Sequence, residues 1–408
     1  MWRNLPTLPK SMVTSQRCSY VCFIPCFRHR PQGNNRTTLP TILLTGGRAP
    51  ATLDLARLLH AAGHTVLVAE SLPRHLCQAS RAVARCFDVP PPNPDHAGFI
   101  DALGSIIRVM GVKLLIPTCE EVFHVARGAD RLPCEVFAPP IDQLRRLHSK
   151  WEFIQGLDGP KPRTWLAHEL TERPPGKLVL KPEFSRFSVH VRVLQADEPL
   201  PELKGRWVVQ EFIEGRARCT YGVARAGKLL AHVAYAPDFT AGAGAAIHFQ
   251  PLQHPALQAW VQDFVAKEQL TGQVAFDFIE AADGTLYPLE CNPRATSGLH
   301  LFAAGDRLDR AFLGEPPQLI TPLPDARAQL ALAMWVYALA PAALAGPKRL
   351  WAWGRALGEA PDVVFRWDDP GPALEQWLVF AELERRARAA GTTALEASTA
   401  DIEWNGER

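Results

Sequence analysis

The chain has 408 residues, 47% of them apolar and 21% charged, with a formal net charge of +2. That length gives room for two or three domains with substantial cores, and the composition is that of a soluble globular protein. The near-neutral balance argues against a nucleic-acid or membrane-surface binder, and no apolar stretch is long enough to span a bilayer.

Residues 1–40 carry Lys10, Arg3, Arg17, Arg28, Arg30 and Arg36 but no acid, with Cys18, Cys22 and Cys26 around the apolar patch YVCFIPCF. Such a segment can be a targeting peptide, a metal-binding knot or an unstructured leader. The C-x3-C-x3-C run matches no common zinc spacing, and Pro25 interrupts the patch. The segment is therefore read as a disordered basic leader, with Met12 or a later codon as an alternative start. The other cysteines show no paired spacing, which fits a reducing, cytoplasmic location.

From Thr41 the pattern becomes regular. TILLTGG is a buried strand ending in glycines, ATLDLARLLHAAG an amphipathic helix closed by Gly63, and HTVLVAES a second strand. A helix (HAGFIDALGSIIRVMG), a strand (KLLIP), a helix (EEVFHVARGADRL) and a strand (CEVFAPP) follow. This alternation predicts an α/β, doubly wound parallel sheet over residues 41–138. IDQLRRLHSKWEFIQGL then reads as one periodic helix, 141–157. Residues 139–321 change to an antiparallel α+β texture. LVLKPEF and VHVRVLQ flank a loop, and RWVVQEFI is another strand. RCTYGVARAGKLLAHVAYA is a hairpin turning at Ala226-Gly227, and VAFDFIEAADGTLYPLEC a hairpin turning at Asp283-Gly284. TAGAGAA, 240–246, reads as a mobile loop. Residues 322–408 read as mainly helical, with a core helix in ALAMWVYALAPAALAG and one strand at DVVFRW.

The chemistry concentrates in LECNPRATSG, 289–298. Glu290, Asn292 and Arg294 alternate along a strand and so share one face. With a turn at Ala281–Gly284, the register predicts Asp277 opposite Pro288 and diagonal to Glu290 on that face. Phe276, Phe278, Leu286 and Leu289 pattern the other face for burial. Two carboxylates and an amide suit Mg²⁺, and the arginine suits a phosphoryl group in transfer. Lys181 ends an apolar strand before Pro182, a fitting place for a phosphate contact. Lys150 lies on the 141–157 helix, and VVQEFIEG (208–215) is a strand running into a polar linker able to grip a base.

In this order the parts resemble the ATP-grasp superfamily: a parallel α/β domain, a helix with lysine, strand-Lys-Pro-loop, V-Q-E-x-x-x-G, then D-x12-E-x-N-x-R. The nearest flavour is the carbamoyl phosphate synthetase and biotin carboxylase branch, including free-standing carboxylate–amine ligases, over residues 41–310. The resemblance implies a pre-ATP-grasp Rossmann-like domain (41–138), a two-lobed ATP-grasp domain (139–321) and a C-terminal region (322–408). It implies ATP and Mg²⁺, with Mn²⁺ as a substitute, as cofactors. Lys150 and Lys181 would bind phosphates; Glu211 and Ile213 would hold adenine and Glu214 the ribose. Asp277, Glu290 and Asn292 would hold the metal, and Arg294 would stabilise the moving phosphoryl group. Two departures stand out. The loop after Lys181 is EFSRFSV, without glycine, so Ser185, Arg186 and Ser188 would donate from side chains. The hinge Gly215 is followed by Arg216-Ala217-Arg218 rather than by an acid.

The first domain ends one strand in IPTCEE, where a doubly wound sheet places its ligands. Glu120 or Glu121 can there meet a substrate ammonium group, or simply favour a helix N-terminus. The implied activity is ATP-dependent joining of a small carboxylate to an amine through an acyl phosphate, with no nucleic-acid or membrane partner and a homodimer admissible. The rival is an ATP-binding scaffold or regulator without turnover. A nicotinamide oxidoreductase is set aside for want of G-x-G-x-x-G.

Overall fold

In the computed structural model, residues 39–185, 190–241 and 245–406 are described. The leader, apart from Leu39 and Pro40, lies outside them.

The first sheet is built from β1 (Thr41–Thr45), β2 (Thr65–Glu70), β3 (Arg85–Asp88), β4 (Leu114–Ile116) and β5 (Glu135–Val136), ordered β3-β2-β1-β4-β5 with every pairing parallel. Ile42, Leu43 and Leu44 of its central strand are fully buried, as expected where helices cover both faces. Those helices are α1 (Pro50–Ala61), α2 (His96–Met110) and α3 (Glu121–Arg127). Asp95 caps α2 by accepting from the Gly98 amide at 2.9 Å, and Gly111 ends it with φ of +64°. Strand β3 escapes the sequence pattern because it is short and only partly buried. The order reverses across β1 and β4, so their carboxyl ends open a crevice.

The predicted single helix over 141–157 is instead two, α4 (Ile141–His148) and α5 (Lys150–Gln155). Ser149 sits between them in an extended conformation, and its hydroxyl accepts from the Glu152 amide at 3.0 Å. The apolar periodicity runs through the break, because Leu144, Leu147, Phe153 and Ile154 are all buried. The break makes Lys150 the first residue of a new helix.

Two antiparallel sheets follow. The smaller holds β6 (Thr164–Leu166), β7 (Leu178–Pro182), β8 (Arg192–Leu194) and β9 (Trp207–Glu211) in the order β6-β9-β7-β8. The larger takes β10 (Arg216–Arg225) and β11 (Lys228–Tyr235), the predicted hairpin, with Ala226 and Gly227 both at positive φ. At the predicted loop, β12 (Thr240–Ala241) pairs with β13 (Ala245–Ala246), and residues 242–244 lie outside those described. Next come β14 (His248–Phe249), β15 (Pro251–Leu252) and α6 (Pro255–Glu268). The larger sheet ends with β16 (Gly272–Glu280) and β17 (Leu286–Asn292), ordered β15-β11-β10-β16-β17.

The β16–β17 register corrects the sequence expectation. Phe278 pairs with Pro288, while Asp277 pairs directly with Glu290, so Leu289 is an extra, bulged residue. Alternation resumes beyond it with Cys291, which joins Phe276 and Phe278 in the core under α6; Leu289 does not. A bulge leaves no mark on a period-two pattern.

After α7 (Asp309–Leu313), β18 (Ala328–Gln329) pairs with β14, and helices dominate. These are α8 (Ala331–Ala333), a π turn at Met334–Ala338, α9 (Leu339–Leu344), α10 (Pro347–Glu359), α11 (Gly371–Ala390) and α12 (Ala394–Ala397). The expected core helix is amphipathic instead: Met334, Ala338 and Ala342 are buried, but Trp335, Val336 and Tyr337 are exposed. DVVFRW forms no strand. It makes single bridges from Asp362 to Gln329 and from Arg366 to Asp369, with Val363 and Val364 buried. Among the described residues no helix is long and apolar enough to cross a membrane.

The C-terminal tail returns to the crevice of the first sheet. The Arg48 guanidinium donates to Asp401 at 2.6 Å and to the Ser398 carbonyl at 2.8 Å, and its backbone amide donates to Glu70 at 2.9 Å. Arg48 and Glu70 are buried, so each needs the other's charge.

Candidate active site

The site lies where β17, the end of β7, the start of α5 and the mouth of the first sheet meet. Strand geometry brings Asp277 and Glu290 together, and Asn292 Nδ2 donates to Asp277 Oδ2 at 3.3 Å. Burial and then the neighbouring Glu290 carboxylate push the Asp277 carboxyl well above its ordinary range. Glu290 goes the other way. Burial opposes its charge, but Lys150 and Lys181 outweigh it and hold the carboxyl down.

Both lysines are buried. Lys150 Nζ lies 3.6 Å from Glu290 Oε2 and donates to the Ser185 carbonyl at 3.2 Å. Lys181 Nζ donates to the Leu289 carbonyl at 3.2 Å, so the bulge presents a backbone oxygen to it. Burial first, with help from Lys150, pushes the Lys181 ammonium down to about 8. Arg294 Nη2 lies 3.7 Å from Glu120 Oε1, which joins β17 to the mouth of the first sheet.

The remaining predicted residues are dispersed around this centre. Glu211 ends β9 and pairs with Arg163 at 3.1 Å, a hydrogen bond that lowers its pKa. Ile213 is half-buried in the linker after β9; Glu214 is exposed, 3.8 Å from Lys177. Ser185 contributes its carbonyl to Lys150, whereas Arg186 and Ser188 lie outside the described residues. Glu121 turns inward and accepts from Thr45 Oγ1 at 2.7 Å and the Thr118 amide at 3.0 Å, bracing β1 against β4.

Cys219 was not singled out from sequence. It pairs with Asp277 across β10 and β16, so it belongs to the same face. The register of three strands, not any motif, reveals it.

The donor chemistry fits Mg²⁺. Two like charges in contact, one forced towards protonation, form a place that a cation relieves. Asn292 can present its amide oxygen on the same side. Among the described residues there is no group of three or more His, Cys, Asp or Glu that could hold a metal ion, and a bound Mg²⁺ would draw its remaining oxygens from phosphate and water.

Residues 147–298 match the model of the ATP-grasp domain family. A search of curated protein sequences gives no match. Among solved structures, the chain resembles N5-carboxyaminoimidazole synthetase from Staphylococcus aureus complexed with ADP at a TM-score of 0.55 and 12% identity, over 69% of this chain and 79% of that one. It resembles L-amino acid ligase from Bacillus licheniformis at 0.50 and 14%, over 68% and 71% of the two chains. For a biotin carboxylase complex from Campylobacter jejuni the values are 0.51 and 12%, over 67% and 70%. Identities this low establish the fold alone. The family match spans Lys150, Lys181, the β9 linker and the whole Asp277–Arg294 set, so residues 147–298 are similar to an ATP-grasp domain.

Proposed function

We propose that the protein is an ATP- and Mg²⁺-dependent ligase that joins a small carboxylate to an amine. The observation carrying this reading is the convergence of Asp277, Glu290, Lys150 and Lys181, with Arg294 next to Glu120 at the mouth of the first sheet. Lys150 and Lys181 bind the ATP phosphates. Asp277, Glu290 and Asn292 hold Mg²⁺, which when bound neutralises phosphate charge. The linker after β9, with Glu211, Ile213 and Glu214, takes the adenine and ribose.

A substrate carboxylate oxygen attacks the γ-phosphorus, and ADP leaves with the bridging oxygen. Arg294 meets the charge spreading over the transferring group. An amine then attacks the acyl carbon, phosphate departs and the amine loses a proton, giving the amide. Burial keeps water from the acyl phosphate. Glu120 is placed to receive the substrate ammonium group, its charge also orienting Arg294. The homodimer, like the division at 138 and 321, belongs to this proposal.

The deciding experiment screens the protein with MgATP against paired amino acids and small acids, reading ADP and phosphate release. ADP and phosphate released only with a carboxylate–amine pair supports the ligase. Tight MgATP binding without release in any combination favours a nucleotide-binding scaffold.

A further inference from the structure

Trp404 belongs to the C-terminal tail, far in sequence from the nucleotide site, yet it packs against the segment that follows Lys181. Its ring stacks on Phe123 at 4.8 Å with an interplanar angle of 8°, and meets Phe184 edge-on at 5.5 Å. His148 completes the cluster, 5.0 Å from Phe123 and 5.8 Å from Phe184. Trp404 is only 5% exposed.

This cluster lies directly behind Lys150. His148 is the last residue of α4, two before the lysine. On the other side, Phe184 lies between Glu183 and Ser185, and both neighbours hold α5. The Glu183 carboxylate accepts from Ser149 Oγ at 2.5 Å, its carbonyl accepts from the Lys150 amide at 3.3 Å, and the Ser185 carbonyl accepts from Lys150 Nζ at 3.2 Å. The tail is itself fixed. Asn93 Nδ2 donates to the Glu403 carbonyl at 2.6 Å, and Arg48 grips Asp401. Farther on, a Cβ at Gly406 would come within 2.5 Å of the Phe184 ring, so the tail lies flush against it.

We infer that Trp404 is a positioning residue for Lys150: by packing Phe184 against Phe123 and His148, it fixes the backbone carbonyls that aim the lysine at the ATP phosphates. A flexible lysine loses entropy on gripping phosphate, and holding it beforehand reduces that loss. Adenosine has no phosphate, so its affinity does not depend on this aim. The inference rests on the ATP reading above.

The test uses the full chain and calorimetry with MgATP and with adenosine. Trp404→Ala should weaken MgATP binding about tenfold and leave adenosine unchanged, while Trp404→Phe, which keeps a planar ring, restores it to within about threefold. In a Lys150→Met background, Trp404→Ala should add less than about twofold, because the lysine it acts through is gone. Equal MgATP affinity in wild type and a folded Trp404→Ala protein overturns the inference but not the ATP reading. So does an equal loss for both ligands, which marks a purely structural role. A wild type that binds no MgATP overturns both. Should the alanine variant not fold, Trp404→Leu, apolar but not planar, decides: weakened MgATP binding supports the inference and wild-type binding refutes it.

Discussion

Asp277 and Glu290 stand directly opposite one another across β16 and β17, partly shielded from water, with Lys150 3.6 Å from Glu290. Two carboxylates in contact repel, and the pair persists because both lysines lean on one of them. The arrangement is strained for a surface ladder and suited to a cation between charged phosphates and charged ligands.

Glu290→Gln should therefore abolish Mg²⁺-dependent ATP turnover while the fold survives, with a melting temperature lowered by a few degrees at most. One anionic ligand disappears at the reacting phosphates, but the repulsion with Asp277 disappears with it. Turnover by a well-folded variant, measured as ADP release, would remove Glu290 from the site.

Arg294→Ala should lower kcat and kcat/KM together, by about a hundredfold, while the ATP Kd changes little. Arg294→Lys should recover only part, since a point charge lacks the planar fork. If the alanine variant instead lost ATP affinity and kept kcat, Arg294 would be a ground-state phosphate contact. Steady-state kinetics with calorimetry separate the two.

Gly215 presents a backbone limit rather than a flexible joint. A Cβ there would run into the Glu280 carbonyl and the Ile279 side chain, both within 3 Å. Gly215→Ala should cost roughly 1–3 kcal/mol by overpacking, read as a shift of the urea midpoint. An unchanged midpoint would mean that β10 and β16 separate freely at this end.

Much of this architecture is legible from side-chain periodicity, and the failures share one cause. The parallel sheet, both hairpins and the shared face of Glu290 and Asn292 follow from periods of 3.6 and two, whereas β17 ends at Asn292 and Arg294 lies in a bend beyond it. The break at Ser149 is invisible because Leu144, Leu147, Phe153 and Ile154 keep their spacing across it. The bulge at Leu289 is invisible because one extra residue changes no composition. Asp277 falls on the expected face but pairs with Glu290 rather than with Pro288. Cys219 and Trp404 reach the site only through strand register and chain return, and neither is written locally. DVVFRW has the β-branched run of a strand, yet tertiary packing buries Val363 and Val364 without a ladder.

His232 supplies a pH dependence. It is buried on β11 with no hydrogen-bond partner for Nε2 among the described residues, and burial pushes its imidazole down to about 4. The unfolded chain takes up the proton first, near pH 6.5, so its stabilising share is complete above that value and is lost as pH falls towards 4. Between pH 7.5 and 5 the wild type should lose roughly 2 kcal/mol more than His232→Gln, measured by urea unfolding at each pH. Parallel pH profiles for the two proteins would contradict a buried neutral imidazole.

The grip of Arg48 on Asp401 joins residues 353 positions apart. A growing chain has no way to make this contact early: Arg48 and Glu70 emerge first and must wait, paired but open to water, for the tail to be synthesised. Closing so long a loop is entropically slow compared with forming the hairpins. Docking of residues 398–406, which brings Trp404 behind Lys150, is then expected to come last in folding. Nucleotide-binding competence should accordingly appear in refolding as a late phase, trailing the recovery of secondary structure.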